Sequence, residues 1–170
     1  ACGINAVGLT GADMNAVQSH KRPLKNGIDF GFVGDVDHVN GYALQLLLQQ
    51  GITPVMAPLT HDGQGNILNT NADTMASEVA KALSRFFNVT LIYCFEKPGV
   101  LRNPADEASL IPVITREEFS GYVADGTVSG GMIPKLENAL AAVDHGVSKV
   151  IITLATDIDR KHGTVIQRRK

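Results

Sequence analysis

The sequence predicts an α/β fold, a three-layer αβα sandwich on a mostly parallel sheet. Three observations predict it. Val- and Ile-rich runs alternate with amphipathic helical patterns, the mark of βαβ units. Apolar residues make up 44% of the chain, yet aromatics are 5% and Trp is absent. Such an aliphatic core suits a parallel sheet buried on both faces. Finally, 170 residues fit one domain, with no repeat and no low-complexity linker.

Strand-like runs cover residues 4–9, 53–58, 89–95 and 149–154, with a shorter one over 164–168. Each is bounded by Gly, Pro or polar turns. The first helical pattern carries Val39, Ala43, Leu46 and Leu47 and stops at Gly51. The second carries Ala72, Met75, Ala76, Val79, Ala80, Leu83 and Phe86. Phe119 and Val123 predict a short third helix closing at Gly126. Met132, Leu136, Ala139, Leu140 and Val143 predict a fourth, closing at Gly146. Residues 27–34 and 61–65 read as hairpin-like excursions. Ala1 is not Met and a strand follows almost at once, so the chain is expected to open inside a longer protein.

Composition excludes several functions. A formal net charge of −2 offers no electrostatic footprint for nucleic acid or an anionic membrane. No apolar run approaches the roughly 20 residues that span a bilayer. The two cysteines, Cys2 and Cys94, have neither CxxC nor metal-ligand spacing. The five histidines, His20, His38, His61, His145 and His162, form no HExxH or HxH pattern and read as surface or loop residues. A Walker A loop is absent. Gly63-Gln64-Gly65 begins a dinucleotide fingerprint that fails at Leu68. A cytoplasmic enzyme is expected, and any metal would be Mg²⁺ held mainly by nucleotide phosphates.

Two segments carry chemistry. Asn69-Thr70-Asn71-Ala72-Asp73 sets two amides and a carboxylate where a helix begins. Asn71 is equally a plain N-cap, and Asp73 favours the helix dipole in either reading. Gly130-Gly131-Met132-Ile133-Pro134-Lys135 sets a glycine pair at another helix start, with a lysine about one turn in. Helix N-termini hold anions. A cation there opposes the dipole, and a bound anion removes the conflict. Thr127 and Ser129 add hydroxyls to a nest that suits a phosphate. Glu96-Lys97-Pro98-Gly99-Val100-Leu101 follows a strand directly, where open α/β sheets take ligands. The combination points to phosphoryl transfer, with Lys135 and Asp73 expected to converge at the carboxyl edge of the sheet.

In order along the chain, these pieces resemble the amino acid kinase family. Ala6-Val7-Gly8-Leu9-Thr10-Gly11-Ala12-Asp13 looks like its AVGLSGxD segment, and Gly31-Phe32-Val33-Gly34-Asp35-Val36 like its GxVGxI hairpin. Asn69 to Asp73 matches NxNAD, Gly99-Val100-Leu101 a strand-end GVL, Gly131 to Lys135 GMIPK, and Gly163-Thr164-Val165-Ile166 the closing GTxI. The resemblance implies transfer of the ATP γ-phosphate, with Mg²⁺, to the side-chain carboxylate of N-acetyl- or N-succinyl-L-glutamate in arginine biosynthesis. It implies Lys135 and Asp73 as catalytic, and Asn69 with Asn71 as substrate-binding. Glu96, Lys97, Pro98, Gly99, Val100, Leu101, Thr127, Val128, Ser129 and Gly130 would line the nucleotide site.

By the same resemblance, residues 1–170 form the C-terminal ATP-binding lobe of a homo-oligomeric enzyme. The family's KxGG lysine, HGGG turn and substrate arginine belong to a lobe outside these residues, so this chain alone is expected to turn over little. Glu96 stands where the family has Asp, and the stretch between Thr156 and Gly163 is short. A non-catalytic nucleotide-binding module is the alternative. Glutamate 5-kinase, aspartokinase and carbamate kinase fit the motifs less well.

Overall fold

The computed structural model describes residues 2–158 and 163–169, so His162 falls outside the described residues. The chain divides into two compact units, Ala1–Phe86 and Phe87–Lys170.

In the first unit, β1 (Ala6–Leu9) pairs in parallel with β4 (Thr53–Met56), Ala6 opposite Thr53 and Leu9 opposite Met56. The crossover contains α1 (Gly41–Gln49). This helix starts because the Asn40 side chain accepts from the Ala43 N–H at 3.1 Å, and it stops at Gly51, whose φ is +69°. A Cβ on Gly41 would lie 2.9 Å from the Ala82 carbonyl oxygen, so glycine lets α1 approach α2 (Ala72–Leu83). Before α1 comes a hairpin of β2 (Val17–Lys21) and β3 (Gly34–Val39), antiparallel. Its tip is Asn26-Gly27, both at positive φ, the type I′ pair that matches strand twist. After β4, β5 (Leu59–His61) and β6 (Ile67–Asn69) form a second antiparallel pair, giving a sheet of order β3-β2-β5-β6. Ala16, Val17, Leu44 and Met75 are buried together under Leu9, Val36, Val39, Met56, Val79 and Leu83.

In the second unit, the sheet order is β7 (Thr90–Phe95), β9 (Lys149–Leu154), β10 (Thr164–Ile166), β8 (Val113–Ile114). β7 and β9 run parallel in full register, from Thr90 opposite Lys149 to Phe95 opposite Leu154. α3 (Arg116–Ala124) opens with a reciprocal capping box between Thr115 and Glu118. α4 (Met132–Asp144) buries Leu136, Ala139, Leu140, Ala142 and Val143 and packs on β9 and β10. Arg168 donates to the Val143 and Asp144 carbonyls at 3.1 and 2.6 Å, satisfying the end of α4.

The α/β class, the mostly parallel sheets and the four helices stand as expected, but Val39, read into the first helix, closes β3, and Phe86, read into the second, lies past its end at Leu83. The strand expected over 164–168 ends at Ile166, because Arg168 turns aside to cap α4, and it runs antiparallel to β9. The excursions at 27–34 and 61–65 are parts of longer hairpins. Their arms β2 and β3 alternate with charged residues, and β5, β6 and β8 are too short to show a period.

Candidate active site

The start of α2 is built from inside out. Thr70, 4% exposed, donates to the Gly34 carbonyl at 3.3 Å and shares a 3.0 Å hydrogen bond with the buried Thr60 hydroxyl. A Cβ on Gly34 would stand 2.8 Å from Leu68 Cβ, so the GxVG glycine is what lets β3 lie this close. The Asn69 N–H donates to the Phe32 carbonyl at 2.7 Å, leaving its side chain exposed at the end of β6. Asn71 is the helix cap: its Oδ1 accepts from the Thr74 N–H at 2.9 Å and from the Thr74 hydroxyl at 3.3 Å. Asp73 sits in the first turn, where a carboxylate suits the dipole.

Upstream, the β1 carboxyl end turns through Thr10 to Asp13. Asp13 Oδ2 accepts from the Thr10 N–H at 2.7 Å and the Thr10 hydroxyl at 2.8 Å, which holds its carboxyl below the usual range. Gly11 is wedged between the Val17 and Leu59 carbonyls, 2.8 and 2.9 Å from where a Cβ would be.

The start of α4 is different. Its cap is Gly131, with no side-chain cap hydrogen bond. The Met132 and Ile133 N–H groups make only long 3.3 Å turns to Ser129 and Gly130. Pro134 brings no N–H. The Gly130 and Gly131 amides donate to no described backbone carbonyl outside helices and strands, and both residues are exposed. Gly130 has a φ of +55°, the αL position of a backbone nest. Asp125 shapes the approach: its carboxylate takes the Thr127 side chain and, at 2.9 Å, the Thr127 N–H, which lowers its pKa. Lys135 is half-buried, with Nζ 3.8 Å from the ring centroid of Phe95, the last residue of β7. Lys135 therefore reaches the carboxyl end of that strand, beside Glu96.

The turn after β7 is fixed from a distance. Thr164, fully buried, accepts from the Val100 N–H at 2.8 Å and donates to the Ile111 carbonyl at 2.7 Å. A Cβ on Gly99 would be 2.7 Å from the Thr164 hydroxyl oxygen, so only glycine fits. Val100, Leu101 and Val128 are buried and serve as frame, while Glu96, Lys97, Ser129 and Gly130 are exposed. Within the second unit the structure thus brings Glu96, Lys135 and the 129–131 amides to elements that end or begin at one sheet edge. Residues sequence reasoning left without roles are Thr70, Phe95, Asp125 and Thr164. The spacing of Phe95, immediately before the strand-end turn, was the available signal.

A cavity of about 530 Å³ in the first unit is lined by Arg22, Pro23, Leu24, Lys25, Phe30 and Asp35, none of them a sequence-predicted site residue. Its strongest cation is already satisfied: Arg22 bonds Asp35 at 2.6 Å and stacks on Phe30. Asp35 is correspondingly held below the usual carboxylate range by the Arg22 guanidinium. Among the described histidines, His20 pairs with Asp37 at 2.6 Å, His145 meets the Ala141 carbonyl, and His61, expected at the surface or in a loop, is half-buried in β5. No three His, Cys, Asp or Glu side chains among the described residues cluster to hold a metal. No described helix is long and apolar enough to cross a membrane.

The profile of the amino acid kinase family matches residues 1–154. A curated acetylglutamate kinase of Phocaeicola vulgatus is 63% identical over 98% of this chain and 64% of its own length. The chain thus spans somewhat less than two thirds of that relative. The solved protein smu.665 of Streptococcus mutans UA159 superposes with a TM-score of 0.77 at 30% identity, over 97% of this chain and 62% of that one. N-acetylglutamate synthase of Neisseria gonorrhoeae superposes at 0.83 over 99% of this chain and 39% of its own, and at 20% identity it speaks for the fold alone.

Proposed function

The chain belongs to the amino acid kinase family, and we propose that it is the nucleotide-binding lobe of an acylglutamate kinase. The reaction is transfer of the ATP γ-phosphate to the side-chain carboxylate of N-acetyl- or N-succinyl-L-glutamate. The observation that carries this reading is Lys135, rooted at an uncapped helix start and held at the carboxyl end of β7. Developing phosphoryl charge is stabilised there by an ammonium and by backbone amides already in place. High identity to an acetylglutamate kinase supports the choice of acceptor.

In this reading the exposed amides of residues 129–131 receive phosphate oxygens. Glu96 and Lys97 face the nucleoside, and Asn69 grips the acylated glutamate. Asp73 is the carboxylate that orients the catalytic lysines. Mg²⁺ arrives carried on the nucleotide phosphates, a mode that demands few protein ligands. When bound, that ion neutralises phosphate charge. Remaining substrate contacts come from the part of the relatives' length that this chain does not span. The assembled enzyme is a cytoplasmic homo-oligomer.

The test is a coupled assay of the full-length protein with Mg-ATP and N-acetyl-, N-succinyl- or free L-glutamate. An acylated glutamate is expected to be the preferred acceptor. Equal turnover with free glutamate would move the protein to another branch of the family. Calorimetric titration of this chain with Mg-ATP is expected to give weak heat. Silence at millimolar nucleotide from a folded sample counts against the nucleotide site.

A further inference from the structure

We propose that Phe95 is the positioning residue of Lys135: its ring face holds the ammonium at the strand end from which it serves the phosphoryl group. The proposal rests on the role given to Lys135 above. Lys135 lies one turn inside α4, where the positive end of the helix repels an ammonium. Holding the ammonium in one place also costs entropy, because a long lysine stem has many rotamers to lose. The Phe95 ring offers the negative face of its quadrupole, with Nζ 3.8 Å from the centroid, well inside cation–π range. Phe95 is itself fixed. It is the last residue of β7, in register with Leu154, and stacks on the buried Tyr93 at 6.1 Å between centroids with planes 27° apart. A strand end, not a loop, therefore sets where the ammonium rests.

Three readouts test this. In this chain, the Lys135 ε-methylene protons are expected upfield of the other lysines through the Phe95 ring current. Phe95→Leu abolishes that shift and Phe95→Tyr retains it. In the full-length protein, Phe95→Leu is expected to lower kcat roughly tenfold, the size of a desolvated cation–π contact, with KM for ATP within about twofold. Phe95→Tyr recovers most of that loss, and Phe95→Leu added to Lys135→Met costs nothing further. Equal kcat for the Leu and Tyr variants, or an unshifted Lys135 resonance, overturns the proposal. If Phe95→Leu does not fold, Phe95→Met is the second ring-free variant, and the wild-type spectrum needs no variant. Lys135→Ala separates the two failures. If it keeps near wild-type turnover, the function assigned to Lys135 falls and Phe95 with it. If it loses turnover while the Leu and Tyr variants match, Phe95 alone falls.

Discussion

Two helix starts carry this chain's candidate chemistry, and they are finished in opposite ways. α2 is closed by its own sequence. Asn71 caps it, Asp73 suits its dipole, and Thr70 is tied below to Thr60 and Gly34. α4 is left open. Its cap is a glycine with no side-chain bond, Pro134 supplies no N–H, and Lys135 sets a like charge against the dipole. Both begin with residues that favour turns, yet only one spends its polar groups on itself. A self-capped start can still display a side chain beside it, as Asn69 does. An open start offers its backbone, at a cost in helix stability that a bound anion would return.

The contrast breaks most visibly at Lys135. In the full-length protein, Lys135→Ala is expected to lower kcat by about 10²–10³ while KM changes far less, because charge that develops during transfer is met mainly in the transition state. Turnover within about threefold of wild type, far short of that loss, would make Lys135 an ordinary helix lysine. Asn69→Ala comes next. Its exposed amide is expected to contribute roughly 1–3 kcal/mol to acceptor binding, seen as a raised KM for acylated glutamate with KM for ATP nearly unchanged. Equal damage to both constants with a lowered melting temperature would instead make Asn69 a loop support.

Asn71→Ala sharpens the comparison from the other side. Loss of the cap is expected to cost about 1 kcal/mol of stability, read as a lower melting temperature of the chain. Gly131→Ala at the open start is expected to move the melting temperature much less. Similar shifts would mean that the two starts are finished alike after all.

The smallest effect concerns pH. Asp125 has its pKa lowered by the side chain and then the N–H of Thr127. A carboxylate depressed in the folded state stabilises above its unfolded value and loses that contribution as pH falls through its folded one. The Thr127 amide resonance is therefore expected to titrate with a midpoint below the ordinary aspartate value of about 3.9. A midpoint at or above that value would detach Asp125 from the loop leading into α4.

Much of this was legible in the chain. The helices announced themselves by apolar period and by their stops, Gly51, Gly126 and Gly146. The long strands did so by continuous Val and Ile. Phosphate-binding candidates were readable because glycine pairs and lysines at helix starts have few structural uses. What escaped depended on pairing across distance. β2 and β3 alternate with His, Lys and Asp, and only their partner strands make them strands. The capping box of Thr115 and Glu118 at the head of α3 went unread beside the apolar pair Phe119 and Val123. Thr164 and Gly34 stand in the GTxI and GxVGxI segments, but their neighbours in the chain do not tell what they do. Their importance lies in what a hydroxyl or a missing Cβ permits in a neighbour many residues away.

Thr164 also has a consequence for synthesis. Its bond to Val100 spans 64 residues. A nascent chain leaving the ribosome can form α2 and its cap from local residues. The turn after β7, by contrast, lacks its anchor until the strand carrying Thr164 has emerged and docked. One start is complete early, while the proposed nucleotide turn stays unfastened until 64 further residues have been made. A stall before Thr164 would release a chain whose strand-end turn at Gly99-Val100 is slack.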